Sequence, residues 1–154
     1  MLSNIKKRTE GFTIIEVLIV LAIAGLILLI VFLAVPALQR NSRNTQRKDD
    51  VSRISGAVQE FTNNNNGSTP TSSDASTIYA NAGTLAYYKD SSKVTINTTA
   101  PGSATNGTSV DEVTVYIGAT CGSMAGGQGA VAGTSRQVAV VYTLEPSTKA
   151  CTNT

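Results

Sequence analysis

The residue types that carry most enzyme chemistry are sparse in this chain. Its 154 residues include no histidine, which removes the commonest general base, the commonest zinc ligand and every Ser-His or Cys-His catalytic pair. Two cysteines, Cys121 and Cys151, stand far apart in a Ser/Thr/Gly/Asn-rich tail, well outside metal-ligand or redox-motif spacing. They read as a disulfide formed outside the cytoplasm, against the alternative of two unpaired buried thiols. The carboxylate that stands out is Glu16. It lies near one end of "GFTIIEVLIVLAIAGLILLIVFLAVPAL", residues 11–38, a run otherwise free of charge. An acid at the centre of a membrane helix costs about 2.5–3.5 kcal/mol and less toward the end, so Glu16 calls for a partner.

Other patterns are weaker. Gly127-Gln128-Gly129-Ala130-Val131-Ala132 fits the relaxed dinucleotide form G-x-G-x-x-A, but Gly133-Thr134-Ser135 follows where a phosphate-binding helix should begin, so a flexible loop is expected there. Asp111 and Glu112 lack EF-hand spacing and read as a solvated pair. Asn66-Gly67-Ser68, Asn97-Thr98-Thr99 and Asn106-Gly107-Thr108 match the N-glycosylation pattern, which is too short to inform by itself. Tyr87 and Tyr88 have no basic groove around them and read as packing residues. No phosphate-binding loop, cofactor motif or metal cluster emerges, and a net charge of +2 points to no nucleic-acid partner.

The elements that must hold Glu16 follow from hydropathy. From Val17 to Val35 there is no charged or strongly polar side chain, enough helix to cross a hydrocarbon core of about 30 Å. A cleaved secretory signal competes, with Lys6, Lys7 and Arg8 as its basic region and Ala22-Ile23-Ala24 imitating a cleavage site. The apolar run continues through Leu33, however, which argues against cleavage there. Orientation is divided: Arg40, Arg43, Arg47 and Lys48 on the far flank outweigh the leader cations, whereas the cysteines and the polar tail suit export.

The order of basic leader, Gly11, Phe12, Glu16 and apolar helix closely resembles the precursor of a type IV pilin, over residues 1 to about 62. The resemblance implies cleavage after Gly11 by a prepilin peptidase on the cytoplasmic side and N-methylation of Phe12. It also implies that Glu16 meets the new amine of Phe12, on its own or a neighbouring subunit, as the filament grows. Glycine before the cut lets an extended backbone lie close to a protease, and Lys6, Lys7 and Arg8 hold the site at anionic headgroups. Membrane lipid is the partner before assembly, a helical homo-oligomer after it. The resemblance further implies an assembly platform and, indirectly, a separate ATPase.

A helical pattern continues past Pro36, with Val51, Ile54, Val58 and Phe61 on one face to dock the following domain. Asn63 to Gly67 should end it, giving a rod of roughly 75 Å from about fifty residues. Gly25 and Pro36 are candidate breaks; in pilins the proline usually stands nearer the N-terminus. Arg40, Arg43 and Arg47 share a face, to meet headgroups, acidic groups of neighbours, or water.

Beyond Ser68, "KVTIN", "VDEVTVYIG" and "QVAVVYTLE" read as strands, with Val138, Val140, Tyr142 and Leu144 alternating to one side. Glu145-Pro146-Ser147-Thr148 should turn the tail back beside the last of them, bringing Cys151 toward Cys121. The expected fold is α+β: a long N-terminal helix, transmembrane in its first half, packed on a small antiparallel sheet. The expected organisation is a leader at 1–11, a helix at 12–62 with its membrane or filament-core part at 12–38, and a β-rich domain at 63–154. The implied function is a non-enzymatic pilin of a surface filament serving adhesion, motility or DNA uptake, anchored in the cytoplasmic membrane as precursor. The alternatives are a pseudopilin of a type II secretion or competence system and a membrane-anchored binding domain that never polymerises.

Overall fold

The computed structural model describes residues 11–99, 109–124 and 127–154. Its contacts divide the chain into two units, Met1–Gln39 and Arg40–Thr154. Helix α1, Ile14–Asn64, contributes to both. In the first unit it is built mainly from Ile, Leu, Val and Ala, and every described residue there is exposed, so nothing among the described residues covers its apolar surface. Gly25 and Pro36, the candidate breaks, both lie inside α1, which continues through them. Each costs the helix only locally, a flexible residue in one case and one missing donor in the other. The helix ends where Asn66 and Gly67 take positive φ, 55° and 83°, and the Gly67 N–H closes on the Thr62 carbonyl at 2.8 Å, satisfying one of the terminal acceptors.

The second unit joins the rest of α1 to a short helix, α2 (Ala75–Asn81), and six strands: β1 Val94–Asn97, β2 Val113–Ile117, β3 Ala119–Met124, β4 Gly127–Ala132, β5 Val138–Leu144 and β6 Thr148–Asn153. The class is α+β. The sheet order is β1-β2-β5-β6-β4-β3, and the sheet is mixed rather than antiparallel. Strands β1 and β2 run parallel, a pairing that a two-residue hairpin turn could not join. Strand β4 meets β6 in parallel at a single register point, Gly127 opposite Lys149. The other pairs are antiparallel.

Strand β5 is central and buried on both sides. Val138, Val140 and Tyr142 join Val51, Ile54 and Val58 of α1, Ile78 of α2, and Val113 and Val115 of β2 in the main core, with Phe61 partly buried against it. Ala139 and Val141 face the other way and pack with Tyr116, Ala119 and Ala130. The β3–β4 hairpin therefore covers the face of the sheet that α1 does not. Residues 127–132, expected as a loop, are strand β4. Its Gly and Ala side chains are too small to show the alternation by which a half-buried strand is recognised.

Candidate functional site

Among the described residues, two polar groupings involve residues singled out in the sequence. At the start of α1, Thr13 and Glu16 form a capping box. The Thr13 N–H and Oγ1–H both donate to Glu16 Oε2, at 2.9 and 2.6 Å, and the Glu16 N–H approaches Thr13 Oγ1 at 3.4 Å. A threonine at the cap and a glutamate three residues on satisfy each other's backbone donors in this way. Gly11, Phe12 and Thr13 lie outside the helix. Phe12 is 90% exposed, and with Glu16, Val17, Val20 and Leu21 it lines a shallow depression of about 210 Å³. Lys6, Lys7 and Arg8 lie outside the described residues. So does Asn106-Gly107-Thr108.

The second place is a charged cluster in the Arg40–Thr154 unit. Arg43 grips Glu145 with two bonds, Nε to Oε1 at 2.8 Å and Nη2 to Oε2 at 2.7 Å, and Arg47 adds Nη2 to Oε1 at 2.8 Å. Asn44 exchanges bonds with the Glu145 backbone, at 3.0 and 2.9 Å. Arg47 also donates to the Tyr87 hydroxyl and lies 4.1 Å above the Tyr87 ring, while that hydroxyl donates to Asp111 at 2.7 Å. One turn along α1, Asp50 accepts the backbone N–H groups of Ala86, Tyr87 and Tyr88 at 2.7–3.0 Å. Arg47 and Asp50 are each 1% exposed. Buried charges survive only when paired and hydrogen-bonded in this way.

The bond from Arg43, reinforced by Arg47, holds the Glu145 carboxyl down at about 2. For Arg47, burial opposes its charge, and the bonds to Tyr87 and Glu145 more than offset this, leaving its pKa raised. Burial pushes the Tyr88 hydroxyl up. The arginine face expected to meet headgroups, neighbours or water thus divides. Arg40 is exposed, whereas Arg43 and Arg47 hold the β5–β6 turn. The signal was present in the spacing: 47, 50, 54 and 58 fall on the same stripe as the apolar docking residues. Asp111, read as solvated, is exposed and also accepts from Tyr87.

Cys121 on β3 and Cys151 on β6 form a disulfide with Cα atoms 5.6 Å apart, and Asn153 Oδ1 accepts the Cys121 N–H beside it at 2.8 Å. Among the described residues no group of His, Cys, Asp and Glu is arranged to hold a metal. The cluster and the disulfide lie in the second unit, whereas the capping box and the exposed apolar surface of α1 lie in the first.

Compared with known proteins, residues 6–32 match the family model described as the prokaryotic N-terminal methylation motif. No curated protein and no solved structure matches the chain. A motif of this kind implies processing by a prepilin peptidase and polymerisation in general, and points to a structural protein. The chain therefore carries, at its N-terminus, the class III signal peptide and methylation motif of the type IV pilin and pseudopilin class.

Proposed function

We propose that this chain is a structural pilin: residues 1–11 are removed after Gly11, Phe12 is N-methylated, and the mature chain polymerises through α1 into a surface filament. The helix to residue 62 then anchors and carries the domain at 63–154. The observation that carries this reading is the methylation motif set on a helix whose apolar surface, Ile14 to Leu38, is exposed throughout. Such a surface needs lipid or other copies of itself. In the precursor it spans the cytoplasmic membrane. In the filament, the same side chains pack against those of neighbouring subunits.

Glu16 gives the assembly its register. One of its oxygens, Oε2, takes both Thr13 donors, and Oε1 is the atom we assign to the amine that cleavage creates at Phe12. A subunit docked out of step would leave that charge buried without a partner, which costs several kcal/mol. Replacing Glu16 by Ala should leave membrane insertion intact and lower filament yield at least about ten-fold, since one unpaired buried charge outweighs about 1.4 kcal/mol.

The decisive experiment is intact-mass and N-terminal analysis of material sheared from the cell surface. Methylated Phe12 at the start of chains in long filaments is the expected result. Processed chain confined to short assemblies beneath the surface would assign the pseudopilin role instead, and recovery only of membrane-bound chain beginning at Met1 would overturn the reading in favour of an anchored binding domain.

A further inference from the structure

We propose that Thr13 is a positioning residue for processing: it fixes the first turn of α1 so that the Gly11–Phe12 peptide stays outside the helix, where a protease can take it. The inference rests on the cleavage site proposed above and adds a residue to it. A peptide bond inside a helix has its carbonyl engaged by the following turn and its backbone wound away from the extended form that proteases bind. Something must therefore stop α1 short of the bond. Gly11 does not suffice, because α1 passes through Gly25, Gly56 and even Pro36 without ending.

What stands at the boundary is the Thr13–Glu16 box. Thr13 contributes a backbone donor and a hydroxyl to one carboxylate oxygen and accepts from the Glu16 N–H. The first helical bond then runs from the Val17 N–H to the Thr13 carbonyl, leaving Gly11 and Phe12 non-helical. Ser and Thr are preferred at such caps because only a short oxygen-bearing side chain reaches back to the free backbone donors. Hydrolysis adds water across the bond, leaving the carboxyl on Gly11 and the amine on Phe12. That amine arises on the residue next to Thr13, whose N–H and hydroxyl hold the carboxylate of Glu16, four residues along from Phe12.

The test uses the full-length precursor in membranes with its prepilin peptidase, following the rate at which precursor becomes mature chain, with alkaline extraction to establish that each variant is inserted. Thr13→Val keeps the shape and removes the hydroxyl, and should slow cleavage about ten-fold. Thr13→Ser restores the cap and should restore the rate. Cleavage of Thr13→Val at the wild-type rate, or Thr13→Ser as slow as Thr13→Val, would overturn the role of Thr13 and leave the pilin reading intact. A wild-type chain uncut after Gly11 overturns both.

Discussion

Glu145 accepts three guanidinium bonds, two from Arg43 and one from Arg47, and its carboxyl is held at about 2, against an ordinary value of 4.5. A depressed carboxyl contributes stability that is fully present above its unfolded value and is lost as pH falls through the folded one. The thermal stability of the second unit should therefore fall between pH 4.5 and 2, and Glu145→Gln should remove that share of the acid slope. An unchanged slope in the variant would mean that the cluster contributes nothing at this edge. This partnership was not legible in the sequence, because 102 residues separate Arg43 from Glu145 and local spacing shows only that the arginines share a face. The methylation motif at residues 6–32 was legible, because Gly11, Phe12 and Glu16 stand in a fixed local order. Thr13 escapes a reading keyed to charge, since its role depends on a hydroxyl and on where the helix starts.

Among the elements, α1 was the easiest to foresee. Its apolar run and its stripe at Val51, Ile54 and Val58 repeat at helical spacing, and the asparagine-glycine stop is local. Strands β1, β2 and β5 were visible for the same reason, being rich in Val, Thr, Ile and Tyr. The β3–β4 hairpin was hidden in small residues, and two glycines of the unit show why residue type there depends on the neighbour. Gly127 has φ 137°, and a Cβ on it would stand 2.2 Å from the Lys149 carbonyl oxygen, at the one point where β4 meets β6. Gly56, inside α1, would meet nothing within 4 Å. Gly127→Ala should therefore destabilise the unit by about 2–4 kcal/mol through strain and overpacking. Gly56→Ala should stabilise it by roughly 0.5–1 kcal/mol through helix propensity. Urea unfolding of the detergent-solubilised chain, followed by tyrosine fluorescence, would separate the two, and equal midpoints would contradict the crowding at β4.

For the molecule as a whole, the disulfide ties the β3–β4 hairpin to the strand beside β5. It closes a loop of sequence separation 30, worth about 3–4 kcal/mol in the chain-entropy model. For a small unit that corresponds to a fall of roughly 10–20 °C in Tm on reduction, with amide exchange rising first in β3 and β4. A Tm indifferent to reductant would show that the hairpin is held by its apolar face alone. By itself the sequence determined the processing motif, the long apolar helix and the α+β class, because each is written in short-range order or in periodicity along one element. Tertiary structure alone decided that β1 and β2 run parallel, that the small-residue hairpin covers the second face of the sheet, and that Arg47, Asp50 and Glu145 are structural. Those outcomes depend on groups far apart in the chain, and a buried charge or a close backbone contact is set by the partner that folding brings to it.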